Sequence, residues 1–484
     1  MKIVLYNYVQ PNEKNSPGGG VTVYLRNLIK GLSDAGHDVY TLSAGDRYSL
    51  LRKKPFIRVN RQAHELAIHN SPNVAPARFS FYHPEIYCRD PSLDHIPDLI
   101  KRELHSVDAF HFHNIEGLTK GFFTSLRRIF PESAILYSAH NYSTLCSQVN
   151  LWQHDTRPCE NFENGNACLT CLDAGDLRRQ ALLLGRLKTP IKNINEKFPK
   201  AVDWIYLVGE FFLKKIVKKE KLPIGYSSNA ASEKFSIDVK ASDFVEYRRE
   251  NIELINSCFD KTLAVSRRTR DILISLGANP SKVETSYIGT RHYEKLASCE
   301  KKVPGNGSIH LGYLGYATKQ KGFFFFLDAL ECIPPEFLSS IEITVAARFK
   351  NPADLSRLRE IGGRAKSLNV YNGFNHQTIQ QILAPVTLGI VPPLWEDNLP
   401  QIAIEFVTHG VPILTSDRGG AHEIANNAAY VFSADSANDA TQKICDILNG
   451  KLDMHAFWQA DLQLKSNDTH LEEIIRIYSE ALQF

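Results

Sequence analysis

The sequence predicts an α/β chain of two doubly wound, Rossmann-like domains facing each other across a cleft. Three observations predict it. The first fifty residues run strand, glycine loop, helix, strand, which is a βαβ opening. The same pattern restarts after a charged and then Pro/Gly/Ser-rich segment, Glu300 to Ser308. The loops with unusual composition follow strands, where ligands of doubly wound sheets bind.

The elements follow in order. Lys2 to Tyr6 reads as a buried parallel strand. Gly18-Gly19-Gly20 ends the next loop. Val23, Leu25, Leu28, Ile29 and Leu32 then recur at helical spacing, and Gly36 stops that helix. His37 to Leu42, Asp108 to His113 and Ala134 to Ala139 read as further strands, with an amphipathic segment from Leu118 to Ile129 between the last two. The stretch from Asp173 to Asn256 is helical in period and rich in Lys, Arg and Glu. Asp260 to Ser266 is strand-like, a helix to about Leu276 follows, and Val283 to Ile288 is a short strand. After the linker, Ile309 to Leu314, Ile341 to Ala346, Ser367 to Tyr371, Gly389 to Pro392 and Ile413 to Ser416 read as strands. His470 to Leu482 is an amphipathic helix. The expected division is 1–303 for the first domain, with a cysteine loop at 146–171 and a helical insertion at 173–256. The second domain takes 304–460. The last segment, 461–484, is expected to pack back on the first domain.

Composition narrows the function. The 484 residues carry 56 basic and 53 acidic side chains, net +3, without the basic excess of a nucleic-acid binder. No run of about 18 apolar residues occurs, so no transmembrane helix is expected. The expected location is cytoplasmic. Nine cysteines at uneven spacing make a poor disulfide framework.

Several loops carry candidate chemistry. Gly19 and Gly20 would let a backbone approach a ligand at a helix N-terminus. Their spacing is not that of a nicotinamide site. Lys319 and Lys321-Gly322 follow the first strand of the second domain, where a lysine can meet a phosphate. Asp397 enters a helix that also carries Glu405, and carboxylates accept strong hydrogen bonds from sugar hydroxyls. Asn398, Leu399, Pro400 and Gln401 lie at that helix's start, where backbone amides favour a phosphate or sugar oxygen. His111 and His113 alternate on one strand and share a face, with His113 nearer the cleft.

Val391 to Glu423 resembles the signature of glycosyltransferase family 4, retaining enzymes of the GT-B fold and, here, of the bacterial surface-polysaccharide type. The resemblance rests on Asp397, Glu405, Gly410-Val411-Pro412 and Gly419-Gly420 followed by Glu423. The amino-terminal glycine loop, His140 after a strand, and Lys321-Gly322 fall in the family's order. The resemblance implies that Glu405 holds ribose hydroxyls, Asp397 donor-sugar hydroxyls and Lys321 the diphosphate. Gly19 and Gly20 would pass near phosphates or acceptor, and His140 would reach the transferred sugar. Glu423 belongs to the same donor signature. The implied reaction moves a sugar from a UDP- or GDP-linked donor to a glycan or lipid-linked acceptor. It needs no catalytic metal and no protein nucleophile.

Two departures stand out. Asp replaces the family's usual Glu at position 397, and Tyr316 stands where the family has Arg. Lys319 or Arg348 is the expected replacement for that lost guanidinium. The departure at Tyr316 also supports a second reading, a catalytically degenerate GT-B scaffold or partner subunit of a transferase. An epimerase or a phosphorylase on the same fold lacks the acid–base set or the cofactor lysine it would need.

Cys146, Cys159, Cys168 and Cys171 cluster in one loop and end in a C-x2-C pair. Two readings stay open: a structural zinc site, or four loop thiols without partners. The basic amphipathic stretch 211–219 is read either as a solvated helix face or as a peripheral contact with anionic lipid at the inner face of the cytoplasmic membrane.

Overall fold

A computed structural model describes residues 1–12, 19–45, 47–49, 51–74, 84–171, 239–305, 307–349, 351–375 and 377–482. Gly18, the basic stretch 211–219 and most of the expected helical insertion lie outside the described residues. From that insertion, the helix Ala241–Ser257 is described.

In chain order the strands begin with β1 (Lys2–Tyr6), β2 (Asp38–Ser43), β3 (Phe56–Asn60), β4 (Glu65–His69), β5 (Ala109–Phe112) and β6 (Ala134–Ala139). A short ribbon follows, β7 (Trp152–Gln153) and β8 (Arg157–Pro158). Then come β9 (Lys261–Ala264) and β10 (Val283–Thr285). The second half supplies β11 (His310–Tyr316), β12 (Glu342–Arg348), β13 (Ser367–Asn372), β14 (Leu388–Val391), β15 (Ile413–Ser416) and β16 (Val431–Phe432).

These strands build two main sheets. The first has eight strands in the order β10-β9-β6-β5-β1-β2-β4-β3, and the second six in the order β13-β12-β11-β14-β15-β16. All pairs in both are parallel except β3 with β4. The strand order reverses between β5 and β1 in one sheet and between β11 and β14 in the other. Each reversal opens a crevice beyond the strands' carboxyl ends.

Strand periodicity explains the layering. Ile3 and Leu5 point into one apolar cluster, while Val4 and Tyr6 point into another on the opposite face. The Ile3–Leu5 face meets the helix Gly20–Asp34, whose Tyr24, Leu25, Leu28 and Leu32 are buried at helical spacing. The same cluster continues into the second sheet through Ile309, Leu311 and Tyr313, so apolar packing runs without a break between the two halves. The hairpin β3–β4 falls in a region where the sequence predicts no element. It forms the sheet's edge, and β3 is only partly covered, so it has no continuous apolar run.

The helix Asn467–Ala481 returns to the first half. Ser466 starts it by accepting a hydrogen bond from the Thr469 backbone N–H. The helix packs on Gly20–Asp34. His470 Nε2 lies 2.8 Å from the Tyr24 hydroxyl, and the Tyr478 hydroxyl 2.8 Å from His111 Nδ1. Among the described residues, no helix is long and apolar enough to cross a membrane.

Candidate functional site

Loops from both sheets enclose a cleft of about 380 Å³. The second half supplies most of its wall. At the end of β11 come Gly315 and Tyr316, then Lys321. Gly322 follows in the left-handed conformation, φ 72°, and starts the helix Phe323–Glu331. A Cβ on Gly322 would lie 1.6 Å from the Pro392 carbonyl oxygen, so glycine alone lets this loop pass against the next one.

The loop after β14 carries the acidic group. Lys321 Nζ donates to Asp397 Oδ2 at 2.6 Å and sits 4.8 Å from the Trp395 ring centroid. The backbone of Asp397 is held from behind. Gly420 N–H donates to the Asp397 carbonyl at 2.7 Å. Gly419, φ 67°, passes so close that a Cβ would stand 2.2 Å from that same oxygen. The glycine pair therefore backs the Asp397 loop and does not itself line the cleft.

Glu405 lies on the helix Gln401–Thr408 and opens into the same cleft. Its Oε2 is buried without a hydrogen-bond partner among the described residues, 3.9 Å from His292 Nε2 and 3.8 Å from His409 Nδ1. Burial raises its carboxyl above the ordinary range, against the pull of Arg291 and Lys295. It is thus a carboxyl that gains from a hydroxyl donor.

The first half contributes Gly20, Tyr24, His140, Val265 and Ile288. His140 Nε2 lies 3.1 Å from His113 Nδ1, and the Tyr24 ring packs 5.0 Å from the His140 ring. Burial, with His470 nearby, depresses His140 to about 3, so its imidazole is neutral near pH 7. It can exchange a hydrogen bond with a ligand without bringing charge.

Several expected site residues stand elsewhere. Gly19 is exposed, outside the cleft wall, and precedes the helix that Gly20 begins. His113 lies under His140, 1% exposed, because the strand's end is covered by Tyr24 and His111. Lys319 points to solvent outside the cleft wall. Glu423 is the largest departure. Its carboxylate accepts from the backbone N–H groups of Arg267 and Arg268 at 2.8 and 2.7 Å and from the Tyr287 hydroxyl at 2.7 Å. It caps the helix Arg267–Ser275 of the first half, so it clamps the two halves together. Glu396 works beside it, bidentate to Arg268 at 2.8 and 2.6 Å. His140, Lys321, Arg348, Asp397, Asn398, Leu399, Pro400, Glu405 and Gly20 do converge on the cleft.

Tyr24, Trp395 and Phe374 line the cleft without having been expected there. Tyr24 was findable: it lies one helical turn after Gly20 and so shares its face. Phe374 follows a strand end, where ligand loops gather.

The four loop cysteines surround a separate cavity of about 20 Å³. Among the described residues, no group of three or more His, Cys, Asp or Glu could hold a metal ion. The Arg248 guanidinium shares this pocket, 3.7 Å over the Phe162 ring. Burial pushes the Cys159 and Cys168 thiols up to about 11 and 12. Structural zinc thus finds no support among the described residues, where the four cysteines and Arg248 line one pocket.

Residues 308–450 match the protein family described as Glycosyl transferases group 1. No curated protein matches the chain in sequence. Among solved structures, the chain is similar to the lipopolysaccharide outer core galactosyltransferase WaaB in its apo form, with TM-score 0.56, 11% identity, and 99% of this chain and 100% of that one covered. It is similar to sucrose-phosphate synthase from Thermosynechococcus elongatus, with TM-score 0.53, 12% identity and 99% of each chain covered. It is also similar to a trehalose-6-phosphate structure from E. coli bound with UDP-2-fluoro glucose, with TM-score 0.52, 12% identity, and 100% and 99% covered. At these identities the likeness is one of fold. The chain has a GT-B fold, and residues 308–450 of its second half match the group 1 glycosyltransferase model.

Proposed function

We propose that the protein is a retaining glycosyltransferase that moves a sugar from a UDP- or GDP-linked donor to a glycan or lipid-linked acceptor. The observation that carries this reading is the convergence of Lys321, Asp397, Glu405 and His140 on one cleft between the two halves. Asp397 and the lone Glu405 oxygen suit hydroxyl groups, and Lys321 suits a phosphate. Asp397 is already engaged by Lys321, which favours a sugar-holding role over a nucleophilic one. Catalysis then rests on positioning and on stabilising the departing diphosphate.

Support comes from the group 1 glycosyltransferase match and from the names of the fold neighbours. One of them is bound with UDP-2-fluoro glucose, and another is a lipopolysaccharide outer core galactosyltransferase. The test is thermal stabilisation by a panel of nucleotide sugars, followed by anomer analysis of the product by proton NMR. A ligand at 100 times its dissociation constant should stabilise the protein by about 2.7 kcal/mol. No shift with any UDP- or GDP-linked sugar overturns the reading, and an inverted anomer overturns retention.

A further inference from the structure

The cleft's charge balance is uneven. A nucleoside diphosphate is polyanionic, yet the Lys321 ammonium is already paired with Asp397 at 2.6 Å. Glu405 adds a second carboxyl. Among the described residues that line the cleft, the remaining cation is Arg348.

Arg348 is placed by the sheet. It ends β12, and the parallel register puts it directly beside Tyr316 at the end of β11. Its guanidinium carbon lies 6.0 Å from the Tyr316 ring centroid. On its other side the side chain lies across Gly373, where an added Cβ would come within 3.2 Å of Arg348 Cγ and 3.4 Å of Nε. An aromatic ring on one side and a bare backbone on the other hold a flexible side chain at the cleft mouth. Among the described residues it makes no ion pair. A guanidinium held this way is suited to two phosphate oxygens at once, which an ammonium is not.

We propose that Arg348 supplies the uncompensated positive charge for the donor's diphosphate, with Tyr316 serving as its backing. The guanidinium needed by the diphosphate thus comes from the end of β12, while β11 presents an aromatic ring. This inference rests on the donor-site reading above.

The experiment measures binding of inorganic pyrophosphate, UDP, GDP and uridine to the full chain, to Arg348→Ala and to Arg348→Lys, at two salt concentrations. Melting temperatures without ligand are recorded first. Arg348 is exposed at a strand end, so they should agree with the unsubstituted protein. The expected result is a loss of tenfold or more for pyrophosphate and UDP in Arg348→Ala, with uridine unchanged. The salt dependence of UDP binding should fall by about one counterion. Arg348→Lys should recover part of the loss. Equal weakening of UDP and uridine would assign Arg348 to the base and overturn the proposal. So would unchanged pyrophosphate and UDP affinity in Arg348→Ala. Failure of the unsubstituted protein to bind pyrophosphate, UDP or GDP would instead remove the donor site itself, and this proposal with it.

Discussion

Lys321 Nζ and Asp397 Oδ2 stand 2.6 Å apart in the cleft, 76 residues distant in sequence. The bond leaves Lys321 two further N–H donors and Asp397 its second oxygen, and each group orients the other. The pair should therefore act as a unit. We expect Lys321→Ala and Asp397→Asn each to lower kcat/KM for sugar transfer by about a hundredfold or more. The double variant should lose far less than the product of the two. Steady-state kinetics on the four proteins closes the cycle. Fully multiplicative losses would show two independent contacts.

The clamp between the halves should be separable from the site. Glu423 is 2% exposed and satisfies two backbone N–H groups and a tyrosine hydroxyl. Glu423→Ala leaves those donors buried, which costs about 2 to 4 kcal/mol. Chemical denaturation should show that loss. Donor affinity measured well below the new melting temperature should change little.

Acid stability follows from the buried histidines beside the cleft. Burial depresses His111 and His140 to about 3, and lowers His113 and His470 as well. Their unfolded values lie near 6.5. Between about pH 6.5 and 3 the unfolded chain binds more protons, so stability falls as pH falls through that window. Each histidine contributes up to about 1.4 kcal/mol per pH unit. Above about pH 7 they contribute no slope. Melting temperatures from pH 8 to 4.5 should show this, with a shallower acid limb in His111→Gln. An identical limb in that variant would contradict a buried neutral His111.

Gly322→Ala tests the loop that aims Lys321. The left-handed φ and the contact with the Pro392 carbonyl both oppose a side chain. A loss above about 3 kcal/mol is expected, or failure to fold. Gly305→Ala, with no atom within 4 Å and no positive φ, should stay within about 0.5 kcal/mol. Equal, small losses at both sites would refute the close approach.

The cysteine pocket should behave as thiols. At pH 8, Cys159 and Cys168, pushed up to about 11 and 12, are protonated. Thiolate is the reactive form, so exposed Cys332 should alkylate first. Peptide mass spectrometry after brief iodoacetamide treatment reads the order. Stoichiometric zinc in the purified protein would overturn this picture.

Much of the fold was legible because strands buried on both faces are written as apolar runs. Lys2 to Tyr6, Ala134 to Ala139 and Ile413 to Ser416 needed no partner to be recognised. Phe56 to Asn60 was not legible, since an edge strand half open to water carries no such run. In the site, Asp397, Glu405 and Lys321 stood out because charged residues at strand ends and on apolar helices are rarely packing residues. Glu423 stood out only through the signature it completes and led elsewhere. A carboxylate that caps a helix and one that meets a ligand look alike in sequence.

The sequence by itself determined most of the strands and helices and which loops carry polar chemistry. Those properties depend on local period and composition. Only the tertiary structure decided which charges are spent on each other. Lys321 is taken by Asp397, Glu423 by a helix of the other half, and Arg348 is left at the cleft mouth beside Tyr316. The physical reason is that a side chain's availability depends on what lies within a few ångströms of it. Here those neighbours come from 32 to 156 positions away, through strand register and the contact between two sheets.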